Sequence, residues 1–212
     1  MKILPTIFGG SLALAVVLLG GVPAASASTS APAAGEEIDI QACWEDVITK
    51  DSACAPTQEE LAVKVYVEYG VEFVDQDIPE ALVLSSDEKA TLTNNERSAP
   101  STPSTNAVNA VNATYILGIY YTGAGYTGSS ETLTASLSSE PCSFYGNYVY
   151  GNKPAIGNFN DNIESFRGYG MCGLTLYADS YYGGSSYGPS GAASNLGAFA
   201  NQASSIRVYK VS

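Results

Sequence analysis

The hydrophobic and polar positions divide the chain into three parts. Residues 4–22 form an apolar run that is interrupted only by small residues. Near the middle of the first half, TQEELAVKVYVEYG places Thr57 three positions before Glu60, which is the spacing of a helix-capping box. This segment predicts a helix, although its valines and alternation would also suit a strand. From residue 113 onward, short apolar stretches alternate with glycine-rich turns, and this pattern predicts strands.

The first 27 residues have the features of a cleaved export signal. Lys2 precedes the apolar run, and Ala25-Ser26-Ala27 follows it with the small-x-small form of a signal-peptidase site. A membrane anchor is the alternative, but four glycines interrupt the run and no basic stop-transfer cluster follows it. We therefore expect a secreted, extracellular protein with no membrane segment in its mature form.

Charge and composition separate the rest of the chain into two halves. The net charge is −12, and residues 28–112 hold sixteen acidic and four basic residues, whereas residues 113–212 hold five and four. Residues 113–212 hold thirteen of the fifteen tyrosines and fifteen of the twenty-one glycines, a composition that predicts an all-β domain. We expect the protein to be a monomer. Residues 28–97 are interpreted as an acidic N-terminal segment, either a small domain or a pro-region. Residues 98–112, rich in Ser, Pro, Thr and Asn, predict an extended linker.

A ten-residue pattern occurs twice in the C-terminal half. Residues 121–130 read YTGAGYTGSS, and 56 positions later residues 177–186 read YADSYYGGSS. The recurring positions are two tyrosines, a glycine and two serines, namely Tyr121, Tyr126, Gly128, Ser129 and Ser130, then Tyr177, Tyr182, Gly184, Ser185 and Ser186. A strand that ends in tyrosine, turns through small residues and resumes with Tyr-x-Gly-Ser predicts a hairpin folded back over its own sheet. The period indicates a duplicated structural unit.

The repeated pattern, Tyr/Phe-x4-Tyr/Phe-x-Gly-Ser, resembles the Greek-key signature of βγ-crystallins. A second repeat supports the resemblance, because NDNIES (160–165) and ANQASS (200–205) are similar to the Asn/Asp-Asn/Asp-x-x-Ser/Thr-Ser loop before the last strand of each motif in microbial members. The resemblance implies a βγ-crystallin-like sandwich of two Greek-key motifs, at about residues 113–169 and 170–212.

The resemblance also implies calcium binding, since these loops offer the oxygen ligands that a hard cation prefers. The implied ligands are Asn160, Asp161, Asn162, Glu164 and Ser165 in the first loop, and Asn201, Gln202, Ser204 and Ser205 in the second. Both loops depart from the family pattern, because Glu164 replaces a Ser or Thr and Ala200 replaces an Asn or Asp. We expect a retuned first site, a weaker second site and dissociation constants of about 10⁻⁴ to 10⁻³ M. The alternative is that these side chains only cap turns.

The four cysteines fit an exported protein. Two lie in each half, so the simplest of the three connectivities pairs Cys43 with Cys54 and Cys142 with Cys172. Zinc binding is the alternative, but the spacings do not fit and the chain has no histidine.

The absence of histidine also argues against catalysis. It rules out a Ser-His-Asp or Cys-His system, and no other constellation of nucleophile, base and orienting residue can be named, so we expect no enzymatic activity. Nucleic-acid binding is not expected either, because the chain is acidic and has no basic patch.

Two functions without catalysis follow from the resemblance. Exported single-domain βγ-crystallin folds are similar to the actinobacterial metalloproteinase inhibitors, which implies an extracellular protease as partner and a rigid inhibitory loop. The candidate loop is residues 138–157, although the short-range disulfide of that family's reactive loop is missing here. The alternative is a calcium-binding structural or binding module of the cell exterior.

Overall fold

The computed structural model describes residues 41–74, 78–96, 113–143 and 149–211. The predicted export signal, the linker at 98–112 and the first residues of the acidic segment lie outside these ranges, so those assignments and their boundaries stay predictions. Among the described residues, no helix has the length and apolar character needed to cross a membrane.

Strands dominate the described residues, as the pattern predicts. The N-terminal part contains β1 (Ala42–Asp46), β2 (Ser52–Ala55), α1 (Gln58–Tyr69), β3 (Phe73–Val74) and α2 (Ser86–Glu96). Motif one contains β4 (Ala113–Gly123), β5 (Thr127–Leu137), β6 (Val149–Lys153) and β7 (Ser165–Gly168). Motif two contains β8 (Cys172–Asp179), β9 (Gly183–Ser190), β10 (Ala192–Ala193) and β11 (Ser205–Lys210).

The two motifs exchange their third strands. One sheet has the order β6-β11-β8-β9, so β6 of motif one lies at the edge of the sheet built by motif two. In return β10 of motif two pairs antiparallel with β7 of motif one. Each motif therefore contributes strands to both sheets, which is the Greek-key arrangement. The predicted all-β fold with two Greek-key motifs is confirmed.

The main core lies between the two sheets. Large apolar side chains from both fill it, among them Leu117, Leu133, Phe166, Leu174 and Ile206, each at most 1% exposed. Because side chains alternate along a strand, the neighbouring positions face outward. The tyrosine rings that close each folded hairpin lie on that outer side.

The N-terminal part extends the sheet of motif one. Strand β1 pairs in parallel with β5, and β3 pairs in parallel with β4. Helix α1 covers the outer face, where Trp44, Leu61 and Leu82 form a second apolar cluster with Ile116 and Ile119 of β4. Strand β4 is therefore buried on both faces, and all of residues 116–121 are buried.

Helix α1 begins and ends at the residues that the sequence indicates. The Thr57 hydroxyl accepts a hydrogen bond from the Glu60 backbone N–H at 3.1 Å. The helix ends at Gly70, which adopts a left-handed conformation with a φ of 67° and donates its N–H to the Tyr66 carbonyl at 3.0 Å. Of the two alternatives for this segment, the helix is the one that forms.

Two disulfides join the pairs expected within each half. Cys43 and Cys54 face each other across the β1–β2 hairpin. Cys142 and Cys172 link the chain after β5 to the first residue of β8. The Cys142–Cys172 disulfide therefore links the two sheets beside the core that lies between them.

Candidate metal-binding loops

The last serine of each predicted calcium loop fixes the folded hairpin of its own motif. The Ser165 hydroxyl accepts from the Tyr126 N–H at 3.0 Å and donates to the Gly123 carbonyl at 2.6 Å. The Ser205 hydroxyl accepts from the Tyr182 N–H at 2.9 Å and donates to the Asp179 carbonyl at 2.7 Å. Both hydroxyls therefore hold the folded hairpins through hydrogen bonds, and this role does not depend on a metal ion.

The two loops have the same backbone path. Each passes through one 3-10 turn, Gly157–Phe159 or Gly197–Phe199. Each then places one polar residue in the left-handed region, Asp161 with a φ of 54° and Asn201 with a φ of 59°. Such values favour glycine, asparagine and aspartate, whose short side chains tolerate this conformation.

The loops also lie side by side. The Asp161 N–H donates to the Ala203 carbonyl at 2.9 Å, and the Asn201 N–H donates to the Ile163 carbonyl at 2.8 Å. Each loop therefore supplies a backbone acceptor to the equivalent position of the other. The polar side chains of one loop consequently face those of its partner motif.

Glu164 joins three segments at this junction. Its Oε2 accepts from the Ala124 N–H of the first hairpin at 3.1 Å, and its Oε1 accepts from the Asn201 side-chain amide of the second loop at 3.0 Å. The residue that departs from the family pattern thus replaces a short hydroxyl with a carboxylate that reaches both neighbours.

The other predicted ligands do not connect the two loops as Glu164 does. The Asn160 amide donates to the Asp161 carboxylate at 2.7 Å, and both side chains are exposed. Ser204 is 7% exposed, and its N–H donates to the Tyr177 carbonyl at 2.8 Å. Asn162 and Gln202 are also exposed, and the Gln202 amide donates back to the Ala198 carbonyl.

The donor set fits a hard cation that relies on neutral oxygens. In the described ranges, no cluster of three or more His, Cys, Asp or Glu side chains could hold a metal. One carboxylate with amide and carbonyl oxygens is a ligand set that calcium accepts, whereas zinc and copper prefer sites that include nitrogen or sulfur. The structure therefore brings Glu164 and Asn201 together as one candidate ligand pair, and Asn160 and Asp161 as another.

A buried charged cluster lies at a place that the sequence pattern does not indicate. The Lys153 ammonium lies 2.6 Å from Glu45 Oε2 and 2.6 Å from Glu131 Oε1, and Tyr120 donates its hydroxyl to Glu131. Burial raises the pKa of Glu131, and the Lys153 ammonium opposes part of that rise. Lys153 occupies an inward-facing position of β6. The sequence could indicate the cluster only if the register of that strand were already known.

The predicted inhibitory loop, residues 138–157, is described in part. Residues 144–148 lie outside the described ranges. Pro141 and Cys142 are buried, and β6 is hydrogen-bonded to β11. The described flanks of the loop line a groove of about 700 Å³ together with Val47 and Ile48. The described part of the loop is therefore anchored at Cys142 by its disulfide and at β6 by strand pairing.

Comparison with known proteins finds similarity only among solved structures, since no family model and no curated protein matches this chain. A βγ-crystallin domain from Flavobacterium johnsoniae is 25% identical, with 44% of this chain and 94% of that chain covered and a TM-score of 0.33. The N-terminal domain of Protein S is 20% identical over 45% of this chain and 97% of that chain, with a TM-score of 0.34.

A third similar structure is a double mutant of clostrillin in complex with nickel. It is 16% identical over 44% of this chain and 98% of that chain, with a TM-score of 0.32. Several of the solved structures to which this chain is similar are βγ-crystallin domains, and the similarity covers 44–45% of its length.

Proposed function

We propose that this protein is a secreted, non-enzymatic module of the cell exterior that binds calcium weakly at the junction of its two loops. The observation that carries the proposal is the position of the Glu164 carboxylate, which contacts the first hairpin and the second loop together. Each oxygen accepts its hydrogen bond from a neutral N–H donor, so the negative charge is not neutralised by these contacts.

Glu164 and Asn201 would hold one ion, and Asn160, Asp161 and Ser204 would contribute to the second. A bound cation would supply positive charge at a junction of two motifs, where it stabilises the folded state by mass action. The Ser165 and Ser205 hydroxyls would remain with the hairpins that they already fix. Calcium is therefore assigned a structural task, and no chemical step depends on it.

The test is a calcium titration of residues 28–212 by calorimetry, with thermal unfolding in 10 mM calcium and in chelator. The N-terminal part must be included, because β1 belongs to the same sheet as motif one. At a dissociation constant of about 10⁻³ M, mass action predicts a gain of about 1.4 kcal/mol at 10 mM calcium. For a domain of this size that corresponds to a rise in Tm of about 3 to 6 °C.

Two matched variants locate the site. Glu164→Gln keeps the acceptor oxygen but removes the charge, and we expect affinity to fall about tenfold or more. Glu140→Gln removes an exposed carboxylate outside both loops and should leave binding unchanged. Absence of binding heat and of a Tm shift at 10 mM calcium would refute the proposal, as would equal losses in the two variants.

Proteinase inhibition stays a second hypothesis from the sequence resemblance. An inhibitory loop must project into a protease cleft in a rigid, substrate-like form. The described flanks of residues 138–157 line a groove, and β6 pairs with β11, while residues 144–148 between them lie outside the described ranges. Nanomolar inhibition of a thermolysin-like enzyme would restore the inhibitor hypothesis, and full protease activity at micromolar protein would remove it.

A further inference from the structure

The N-terminal part completes its apolar core on the outer face of motif one. It places Trp44, Leu61 and Leu82 in one buried cluster with Ile116 and Ile119 of β4. Each of these five side chains is at most 2% exposed. A segment as short as the N-terminal part has little apolar surface to bury by itself, so a shared core contributes much of its stability. The N-terminal part and motif one therefore depend on each other for burial.

Hydrogen bonds at the edge of β5 add to this apolar contact. The Ser130 N–H donates to the Gln41 carbonyl at 2.9 Å, and the Val47 N–H donates to the Thr134 carbonyl at 2.8 Å. The Trp44 indole N–H donates to the Thr134 hydroxyl at 2.7 Å. Strand β1 therefore closes an edge that would otherwise present unpaired backbone groups.

Polar side chains are also paired across this contact. Glu45 Oε2 of β1 lies 2.6 Å from Lys153 Nζ of β6. Asp46 is 1% exposed, and its Oδ2 accepts from the Ser136 hydroxyl of β5 at 2.8 Å. An apolar centre around a buried tryptophan, surrounded by paired polar groups, is the arrangement of tight protein interfaces. The contact therefore has the features of an interface between two subunits.

The two disulfides do not cross this contact. All four cysteines are paired, with Cys43–Cys54 inside the N-terminal part and Cys142–Cys172 inside the duplicated half. The backbone connection runs through residues 98–112, whose Ser, Pro, Thr and Asn content is typical of linkers. Such segments are common sites of proteolysis. One cut there would give two chains and leave every contact described above in place.

Strand β9, the counterpart of β5 in motif two, does not offer an equivalent edge. The 56-residue period places Gly188 and Pro189 where β5 has Thr132 and Leu133. Gly188 has a φ of 102°, and Pro189 has no N–H to donate, so the edge of β9 is irregular at this point. The regular edge that β1 uses therefore belongs to motif one, and one surface binds one N-terminal part.

We propose that the N-terminal part is a bound subunit, docked on the outer face of β4 and the edge of β5, which stays in place after proteolysis of the linker. The cut protein is then a non-covalent, one-to-one complex of two chains. Of the two interpretations of the acidic segment, this one excludes a pro-region that leaves after cleavage. The proposal does not depend on calcium, because none of the contacts that carry it involves the candidate metal-binding loops.

The test cuts the complete mature chain at one place. Residues 28–212 are produced with a recognition sequence for a site-specific protease inserted between residues 98 and 112. The uncut and cut forms are then compared in chelator by gel filtration with light scattering. At about 1 μM both forms should have the mass of one complete chain, since stable interfaces of this kind have dissociation constants well below that concentration.

Equilibrium unfolding in urea, followed by the fluorescence of Trp44, provides a second measurement. The midpoint of the uncut form should not depend on protein concentration. The midpoint of the cut form should rise with protein concentration, because its folding includes an association step. At micromolar protein it should also lie below that of the uncut form, since the intact linker supplies an effective concentration of about 1 mM.

Two variants locate the interface. Ile119→Thr introduces the residue that motif two has at the equivalent position, and it should weaken the cut complex about tenfold or more, because less apolar surface is buried. The uncut Ile119→Thr chain should remain folded, since its linker keeps the two parts together. Thr175→Val changes the equivalent position of β8 in the other sheet and should leave the association unchanged.

Three results would overturn the proposal. Separation of the two chains at about 10 μM would do so and would identify the N-terminal part as a removable pro-region. Equal weakening of the cut complex by Ile119→Thr and Thr175→Val would show that β4 does not form the interface. A mass of two complete chains for both forms would show that the N-terminal part docks on a second copy instead of its own chain.

Discussion

Replacing Lys153 with methionine would remove the positive charge at the centre of the buried cluster while keeping a side chain of similar length. Lys153 is 6% exposed and forms ion pairs with Glu45 and Glu131. The three residues come from β6, β1 and β5, so the cluster connects the N-terminal part to both sheets. Its loss should therefore affect the whole folded unit.

The expected cost is large at neutral pH. Removing one partner of a buried ion pair typically costs about 3 to 5 kcal/mol, because the remaining charge stays buried without compensation. Glu131 is the group left behind, and Tyr120 alone cannot neutralise it. Replacing Glu131 as well, in the double variant Lys153→Met with Glu131→Gln, should recover most of the loss because no buried charge remains on that strand.

The cost should also depend on pH. Burial already raises the pKa of Glu131 above its value in the unfolded chain, and loss of the Lys153 ammonium raises that pKa further. A carboxyl group with a raised pKa favours the folded state below the pKa of the unfolded chain, and this contribution is lost as the pH rises through the folded-state pKa. The Lys153→Met cost should therefore be at least about 1 kcal/mol smaller at pH 4 than at pH 7.

Urea unfolding followed by the fluorescence of Trp44 measures these values, because the only tryptophan is buried on β1 beside the cluster. Lys50→Met is the matched control, since Lys50 also pairs with Glu45, at 3.6 Å, but its side chain is 56% exposed. That variant should lose less than about 1 kcal/mol. Equal costs for the two lysines, or a Lys153→Met cost that does not change between pH 7 and pH 4, would refute the reasoning.

Two further predictions concern the N-terminal helix and the disulfides. Thr57→Ala removes the side-chain cap of α1 and should lower the free energy of unfolding by about 0.5 to 2 kcal/mol in urea denaturation. Thr57→Ser keeps the hydroxyl and should cost little. An unchanged free energy of unfolding in Thr57→Ala would mean that the cap is not formed in solution. Replacing Cys142 and Cys172 with serine opens a loop with a sequence separation of 30 and should lower the free energy of unfolding by about 3 to 4 kcal/mol. Replacing Cys43 and Cys54, which have a separation of 11, should lower it by only about 2 to 3 kcal/mol. The reverse order of these two costs would show that loop entropy does not govern them.

The sequence predicted the duplicated half well because its determinants are local. Each hairpin is specified by adjacent residues, as in Tyr177 to Ser185, where the aromatic pair and Gly184 form contacts within a single turn. The loop serines belong to a repeated pattern that the sequence shows, whereas their hydrogen bonds to the hairpin backbone depend on how the chain folds. Local patterns of this kind can be recognised without knowing which strands pair.

The sequence could not predict the docking of the N-terminal part, because that contact depends on pairing between distant segments. Nothing in ACWED (42–46) specifies that it pairs in parallel with residues 130–134, nor that Lys153 of a third strand will reach Glu45. The duplication provides a physical explanation for the asymmetry that results. Motif one carries Ile119 where motif two carries Thr175, and only the copy with the isoleucine is covered by α1. The isoleucine adds apolar surface that the N-terminal part buries on motif one, and the threonine of motif two offers less of it, which is one reason why the N-terminal part packs on the first copy.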